Sequence, residues 1–293
     1  MPTRTASDSS GTLRGPPVRH HGLVQKPLLV ASDVDGTLLT PDERISPRTA
    51  EVIGRVLASG TPFVLVTGRP PRWVPRVAVE AGVSGYAVCA NGAALYDIAA
   101  DRVFRVHGLD PVQLSDLATA LATAVPGSLL ATERVAETAM GEAERQFLAE
   151  PEYQHPWPNP DSAAASRGEV LGKTAIKLLA RHPGMTSQEM ATAATALLGD
   201  QFAVTYSSNN GLIEIAAAGV TKATGLAEVA ELLGVERGDV IAFGDMPNDV
   251  SMLSWAGHGV AMSNAHPQAK SAADEITGSN SEDGLALVLE RWF

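Results

Sequence analysis

One segment of this 293-residue chain reads Lys26-Pro-Leu-Leu-Val-Ala-Ser-Asp33-Val-Asp35-Gly-Thr-Leu-Leu39, an apolar run that ends in two carboxylates. Successive side chains of an extended backbone point to opposite sides, so Asp33 and Asp35 are expected to face the same way. Carboxylates this close raise each other's pKa, and a retained proton or a divalent cation relieves the repulsion. The segment predicts a phosphoryl-transfer site, although Asp35-Gly36 also fits a simple turn after a capped strand.

Alternating strand and helix patterns follow this segment. Residues 61–67 form a short apolar run bounded by turn residues, which is typical of a parallel strand buried on both faces, and residues 86–90 form another. Ser46 and Pro47 suit the start of the intervening helix, and Gly60 suits its end. The pattern predicts an α/β fold with a doubly wound parallel sheet.

The alternation changes after residue 92 and resumes after residue 217. A predicted hairpin at residues 94–98 and 103–107 is followed by helix patterns and several separate strand patterns, so this stretch is interpreted as an inserted α+β domain. The predicted domains are a disordered tail at residues 1–26, a core of residues 27–92 plus 218–293, and an insert at residues 93–217 containing an irregular loop at residues 151–167.

Composition excludes several classes of protein. Residues 1–26 are basic and poor in apolar residues, which predicts disorder; an organelle transit peptide remains an alternative, but the amphipathic period is missing. The chain has no apolar span of membrane length and no secretory signal pattern. Its net charge of −11 argues against nucleic-acid and membrane-surface partners. The single cysteine, Cys89, forms no disulfide within the chain, so we expect a cytoplasmic protein.

Polar residues follow three of the predicted strands. In open α/β sheets ligands bind beyond the carboxyl ends of the strands, so these residues are expected to converge. Lys222 stands at the start of a helix just before the last of the three strands. The converging groups are Asp33 with Asp35, Thr67 with Gly68 and Arg69, and Asp245 with Asn248 and Asp249.

The residue types suit attack of a carboxylate on a phosphoryl group. An anionic phosphate must be neutralised first, and Mg²⁺ held by Asp33 and Asp245 is expected to do this. Asp35 is expected to protonate the leaving oxygen and then to deprotonate the attacking water. Thr67 is expected to donate its hydroxyl to a phosphoryl oxygen, and Lys222 to balance the charge of Asp33 and the phosphate.

Together these motifs resemble the haloacid dehalogenase-like phosphohydrolases, and the resemblance covers about residues 27–293. The motifs occur in the family's order, and the insert between the second and third resembles the type IIB cap of the Cof-type sugar phosphatases. The resemblance implies a Rossmann-like core that carries this cap. The matching motifs are Asp33-Val-Asp-Gly-Thr-Leu38, Thr67-Gly-Arg69, Asn91-Gly-Ala93, Lys222, and Gly244-Asp-Met-Pro-Asn-Asp249.

The same resemblance assigns roles to individual residues. It makes Asp33 the nucleophile that becomes an aspartyl-phosphate, and Asp35 the acid/base and a magnesium ligand through its backbone carbonyl. Asp245 becomes the third protein ligand, and Asp249 a further residue of the metal site. The expected substrate contacts are Gly68, Arg69, Asn91 and Asn248. One departure is Ala223, where the subgroup often has glycine.

Other interpretations of the supporting residues remain open. Lys222 also fits a solvated first-turn lysine, and Thr67 a cap at a strand end. Arg69 fits contact with the substrate or with the catalytic acids, but it also fits a cap of the following segment or a simple pair with an acid. Asn91 fits a turn before Gly92. For the loop at residues 151–167, packing of His155 and Trp157 on each other at the surface is preferred over lining a pocket.

The predicted function is a magnesium-dependent phosphatase of small phosphorylated metabolites. Sugar phosphates are the leading substrates, followed by flavin mononucleotide and pyridoxal phosphate. A phosphomutase, which returns the phosphoryl group to a second hydroxyl, and a non-catalytic regulator that binds a phosphometabolite are the alternatives. We expect a monomer or weak homodimer.

Overall fold

The computed structural model describes residues 25–139 and 145–293. Of the tail predicted to be disordered, residues 1–24 lie outside these ranges. Within them the backbone forms one sheet of eight strands and one of six, with helices packed on both. No helix in this part of the chain is long and apolar enough to cross a membrane.

The strands, in chain order, are β1 Leu29–Ser32, β2 Phe63–Val66, β3 Tyr86–Cys89, β4 Ala94–Asp97, β5 Arg102–Val106, β6 Leu129–Glu133, β7 Phe147–Ala149, β8 Ser162–Ala164, β9 Lys177–Arg181, β10 Phe202–Thr205, β11 Leu212–Ala217, β12 Val240–Gly244, β13 His258–Ala261 and β14 Glu275–Ile276. The helices are α1 Pro47–Ala58, α2 Val74–Ala81, α3 Pro111–Ala124, α4 Arg167–Leu171, α5 Ser187–Leu198, α6 Lys222–Leu232, α7 Val250–Trp255, α8 Pro267–Ala272 and α9 Gly284–Leu289.

The first sheet has the strand order β14-β13-β12-β1-β2-β3-β4-β5. Its strands from β14 to β3 run parallel, and β4 and β5 add an antiparallel hairpin at one edge. Within β1, Val30 packs among side chains of α1 and α9, whereas Leu29 and Ala31 pack among those of α6 and α7. Helices therefore cover both faces, which confirms the predicted doubly wound α/β sheet.

The hairpin β4–β5 differs from the prediction, which placed it in the inserted domain. It extends the first sheet, with Cys89 of β3 paired to Ala94 of β4. Because only four residues separate β3 from β4, the chain turns back beside the strand that it has just left. The domain boundaries at residues 93 and 217 remain a prediction, and this sheet membership favours a later start for the insert.

The second sheet has the order β10-β11-β9-β6-β7-β8 and is antiparallel except for the pair β7–β8. One face is covered by α3 and α5, whose side chains pack on Leu178 and Ile213. The alternate residues Lys177 and Glu214 belong to the opposite face, which looks onto the cavity described below. Sequence patterns missed β7 and β8, and β8 lies within the stretch predicted to be an irregular loop.

Gly92 lies where the first sheet meets the start of α6. Its φ is +104°, and a Cβ there would lie 2.2 Å from the carbonyl oxygen of Thr221. Thr221 caps α6, with its hydroxyl accepting from the backbone N–H of Thr224 at 3.1 Å. The close approach of Gly92 to Thr221 therefore determines the position of Lys222, the first residue of α6, relative to the first sheet.

Replacement of Gly92 by alanine is expected to lower the free energy of unfolding by about 1–3 kcal/mol, because both the backbone conformation and the contact with Thr221 oppose a side chain. Gly54→Ala is the matched control, since a Cβ in this exposed part of α1 meets nothing within 4 Å. That change should raise the free energy by up to about 1 kcal/mol. Equilibrium denaturation measures both, and equal effects would contradict the interpretation.

Candidate active site

The carboxyl ends of three adjacent strands, β12, β1 and β2, lead to Asp245, Asp33 and Thr67. Beyond this edge lies a cavity of about 800 Å³ that separates the first sheet from the second. Asp33 and Asp35 both line it, as predicted from their spacing, together with Gly68, Arg69 and Asn248. The strand ends therefore converge where an α/β sheet is expected to bind its ligand.

Lys222 is fully buried at the base of this site. Its Nζ donates to Asp33 Oδ1 and, at 2.6 Å, to Asp249 Oδ1. Burial opposes the charge on Lys222, but Asp249 and Asp33 outweigh that effect and raise the pKa, so the ammonium stays charged. The alternative of a solvated first-turn lysine is therefore wrong.

Asp249 is fully buried and bound on both sides. Its Oδ1 accepts from Lys222, and its Oδ2 accepts the backbone N–H groups of Asp245 at 2.9 Å and of Met246 at 2.8 Å. The carboxylate thus orients both the lysine and the backbone that carries Asp245. Both oxygens are already occupied by protein donors, which suits an orienting role beside a metal site.

Asp33, Asp245 and Asp249 form an acidic cluster whose carboxylate oxygens lie within 4.8 Å of one another. Burial raises the pKa of Asp33 well above its usual value; Lys222 opposes this rise, and the neighbouring carboxylates add to it. Burial, assisted by Asp249, raises the pKa of Asp245 to about 7, although Thr37 donates to its Oδ1 at 3.0 Å. The cluster thus holds more negative charge than its surroundings neutralise.

This donor set fits a divalent cation that prefers hard oxygen ligands. The backbone at Gly36 also leaves room beside the cluster, because a Cβ there would lie 2.3 Å from Asp245 Oδ2. Asp33 and Asp245 are the acids best placed to share a cation, with Asp35 as the third predicted ligand. A bound cation would offset the burial and the repulsion that together raise the pKa values of Asp33 and Asp245.

Asp35 is paired with Arg69 at the cavity wall. Arg69 Nε donates to Asp35 Oδ2 at 2.9 Å, and Nη2 donates to Asp35 Oδ1 at 2.6 Å. The Asp35 side chain is 56% exposed, whereas that of Arg69 is 18% exposed. Arg69 thus contacts Asp35, one of the predicted catalytic acids, and its place at the cavity leaves substrate contact as a prediction.

Thr67 is fully buried behind the cavity wall. Its Oγ1 accepts the backbone N–H of Arg69 at 3.0 Å, and its carbonyl accepts the N–H of Asn91. The contact with Arg69 is that of a cap at the end of β2, the alternative left open for this residue. The donation from Thr67 to a phosphoryl oxygen remains a prediction.

A buried chain of hydrogen bonds links this site to the second sheet. Asn248 Nδ2 donates to Asn91 Oδ1 at 3.0 Å, and Asn91 Nδ2 donates to Glu214 Oε2 at 2.8 Å. Lys177 Nζ donates to Glu214 Oε2 at 2.9 Å and to the carbonyl of Gly68 at 2.8 Å. Asn91, in a left-handed conformation with φ of +58°, is thus a buried connector between Asn248 and the cap.

Lys177 and Glu214 were not anticipated as site residues. Each is a charged residue within an apolar strand pattern, at residues 175–180 and 212–215. A charge inside such a run was the one sequence feature that could have indicated a site residue. Arg72 and Glu133 were also missed; they pair across the cavity, with Arg72 Nη1 2.6 Å from Glu133 Oε1. Their pairing depends on two segments distant in the chain, so no local pattern reveals it.

His155 and Trp157 line the cavity from the cap side. Their rings are in edge-to-face contact with centroids 4.5 Å apart, and His155 also contacts Phe147 at 5.4 Å. The sequence interpretation preferred packing of these rings on each other at the surface. The rings do pack on each other, but they also form part of the cavity wall.

The pKa of His155 is predicted to produce a pH-dependent stability. Burial first, then Lys177 and Arg181, lower this pKa from 6.5 to about 4, against an opposing effect of Glu214. The unfolded chain therefore binds more protons between these values, so the contribution of His155 to stability rises from about pH 4 to about pH 6.5. Denaturation of the wild type and His155→Phe across this range should show the stability of the wild type rising relative to that of the variant, because the other titrating groups are common to both. An NMR titration midpoint near 6.5 for His155 would contradict this.

Comparison with known proteins agrees with this architecture. The family model of the haloacid dehalogenase-like hydrolases matches residues 30–289. Two 5-amino-6-(5-phospho-D-ribitylamino)uracil phosphatases of Bacillus subtilis are similar: YitU is 29% identical over 276 residues, covering 92% of this chain and 98% of YitU. YcsE is 30% identical over 267 residues, covering 90% of this chain and 95% of YcsE.

A solved structure supports the same assignment for the fold. The subclass IIB sugar phosphatase BT4131 aligns with a TM-score of 0.73 at 21% identity, covering 90% of this chain and 98% of that protein. Because the alignment covers 90% of this chain, the similarity of the two folds includes both the first and the second sheet. The chain therefore belongs to the haloacid dehalogenase-like hydrolases, as a phosphoric monoester hydrolase with a Cof-type, subclass IIB cap.

Proposed function

We propose that this protein is a magnesium-dependent phosphatase that hydrolyses small phosphorylated metabolites through an aspartyl-phosphate on Asp33. The observation that carries the proposal is the place of Asp33, which lines the cavity while its Oδ1 is held by the buried ammonium of Lys222. One carboxylate oxygen is thus fixed, and the rotation of the side chain is restricted. A positioned carboxylate of this kind suits in-line attack on phosphorus.

In the first step, an oxygen of Asp33 forms a bond to phosphorus while the bond to the leaving oxygen breaks. Asp35 gives its proton to that oxygen, and the alcohol departs. In the second step, Asp35 takes a proton from water, whose oxygen attacks phosphorus and releases inorganic phosphate with Asp33 restored. Arg69 holds Asp35 in the observed state, and a phosphate group competes for the same guanidinium.

The charge balance supports a metal requirement. Four carboxylates, Asp33, Asp35, Asp245 and Asp249, share the site with the cations Lys222 and Arg69. A phosphate dianion adds further negative charge. Mg²⁺ held by Asp33, Asp245 and the backbone carbonyl of Asp35 would neutralise the phosphoryl oxygens. The fully buried Lys222 holds one oxygen of the proposed nucleophile, Asp33.

Sugar phosphates remain the leading substrate class, with flavin mononucleotide and pyridoxal phosphate after them. A cavity of about 800 Å³ under a cap suits a small metabolite better than a phosphoprotein. Both Bacillus subtilis relatives are named for a phosphorylated ribityl compound, which supports a polyol phosphate. The buried, unpaired Cys89 supports the cytoplasmic assignment, and a monomer or weak homodimer stays a prediction.

Replacement of Asp33 by asparagine is expected to abolish phosphate release, because the amide cannot form the aspartyl-phosphate. Asp35→Asn should lower kcat by about 10²- to 10⁴-fold and let the phosphorylated enzyme accumulate, since water then lacks its base. Phosphate release with Mg²⁺ or EDTA, combined with intact-protein mass spectrometry, measures both. Transfer of the phosphoryl group to a second hydroxyl without phosphate release would indicate the phosphomutase instead.

Magnesium is expected to stabilise the folded protein by about 2.7 kcal/mol at 100 times its dissociation constant. Asp245→Asn should remove most of this gain. Without magnesium, the variant should be at least as stable as the wild type near pH 8. The reason is that the pKa of Asp245 is raised to about 7, so its ionisation opposes folding.

Asp116→Asn, a change on the exposed side of α3, is the matched control and should leave the magnesium effect intact. Denaturation with Mg²⁺ or EDTA tests the metal site without an activity assay. An unchanged magnesium gain in Asp245→Asn would exclude this site.

A further inference from the structure

The peptide unit between Gly68 and Arg69 is held from both sheets. Its carbonyl, on Gly68, accepts from Lys177 Nζ at 2.8 Å, and its N–H, on Arg69, donates to Thr67 Oγ1 at 3.0 Å. The carbonyl of Arg69 in turn accepts the N–H of Ala90 at 2.9 Å. Because a peptide unit is planar, contacts at both of its ends fix its orientation. The direction in which the Arg69 side chain leaves the backbone is therefore determined partly by the second sheet.

Lys177 is a buried donor on a central strand. It begins β9, which pairs with β6 on one side and with β11 on the other. Its side chain is 7% exposed, and that of its partner Glu214 is 6% exposed. A charged pair this far from water costs free energy to bury and is a weak source of stability. The pair therefore points to a role other than stability, which at this position is the contact with Gly68.

Arg69 transmits this orientation to Asp35. Its guanidinium donates to both carboxylate oxygens of Asp35, from Nε at 2.9 Å and from Nη2 at 2.6 Å. Two parallel hydrogen bonds of this kind fix the direction of a carboxylate as well as its distance. The Asp35 side chain is 56% exposed, so burial alone does not hold its rotamer. A displacement of the peptide between Gly68 and Arg69 would thus move the carboxylate that is proposed to protonate the leaving oxygen.

We propose that Lys177 is a positioning residue, which acts through the Gly68 carbonyl to hold Arg69 and Asp35 in place for proton transfer to the leaving group. Glu214 keeps the ammonium at that carbonyl, because both oxygens accept from the same nitrogen. The second sheet then contributes to the reaction as well as to the cavity wall. This inference rests on the proposed phosphatase function and deepens it.

The double variant Lys177→Met/Glu214→Gln removes the contact with Gly68 without leaving an unpaired buried charge. The new glutamine retains an oxygen that accepts from Asn91 Nδ2, so the link between Asn91 and the second sheet is kept. Glu214→Gln alone retains the lysine, which separates loss of the Gly68 contact from loss of the ion pair. Arg102→Met is the matched control, because it removes one exposed positive charge from β5 at the edge of the first sheet.

Two esters of similar size, each assayed for phosphate release with Mg²⁺, provide the first readout. The alkoxide of benzyl phosphate must be protonated as it leaves, whereas para-nitrophenyl phosphate releases a stable anion. Because kcat/KM includes only the steps up to departure of the alcohol, the double variant should lower it for benzyl phosphate about tenfold more than for para-nitrophenyl phosphate. Asp35→Asn should show the same pattern, and Glu214→Gln and Arg102→Met should not. Equal losses for the two esters would overturn the inference and leave the phosphatase function standing.

The NMR resonance of the Arg69 Nε–H, assigned with Arg69→Lys, provides a readout that does not depend on turnover. Its hydrogen bond to Asp35 slows exchange with water, and the double variant should exchange about tenfold faster or more, whereas Arg102→Met should not change the rate. Faster exchange without phosphate release from either ester by the wild type would support the positioning role and overturn the proposed function. An unchanged exchange rate in the double variant would overturn the inference, whatever the turnover.

Discussion

The buried ammonium of Lys222, held between Asp33 and Asp249, is the interaction on which the site depends. It joins three parts of the chain: the end of β1, the start of α6 and the turn after β12. A lysine without solvent contact is tolerated only with paired charges, so removal of either carboxylate would leave an uncompensated charge. Asp33, the proposed nucleophile, is therefore positioned by the same contact that secures α6 against the sheet.

Burial of this cluster has an electrostatic cost, which falls mainly on Asp33 and Asp245. The pKa values of Asp33 and Asp245 are raised, while that of Lys222 is raised as well because its partners are acids. The cluster is thus short of positive charge. The same deficit would make it receptive to a divalent cation, so the proposed affinity for metal and the cost of burying these acids have one origin.

The core and its acids could be predicted from sequence because each signal is local. Asp33 and Asp35 follow an apolar strand, and Lys222 begins a helix just after a turn, so short segments determine where they lie. The sequence pattern of the hairpin β4–β5, by contrast, is compatible with either domain. It joins the first sheet because β4 pairs with β3 at the edge of that sheet. Lys177 escaped prediction as a site residue because its neighbours in space, Gly68 and Glu214, are distant in sequence. The contact of Trp157 with His155 is local, but its place at the cavity depends on distant segments on the other side of that cavity.

The hydrogen-bond chain through Asn248, Asn91, Glu214, Lys177 and Gly68 leaves the core and returns to it through the cap. In a library of cap variants, Glu214 and Lys177 would therefore have to be kept, since they hold the second sheet against Gly68 and Asn91 of the first domain. The rings of Phe147 and Trp157 take no part in this hydrogen-bond chain and instead contact the ring of His155. Substitutions at these ring positions would change the cavity wall and leave the contact of Asp33 with Lys222 in place.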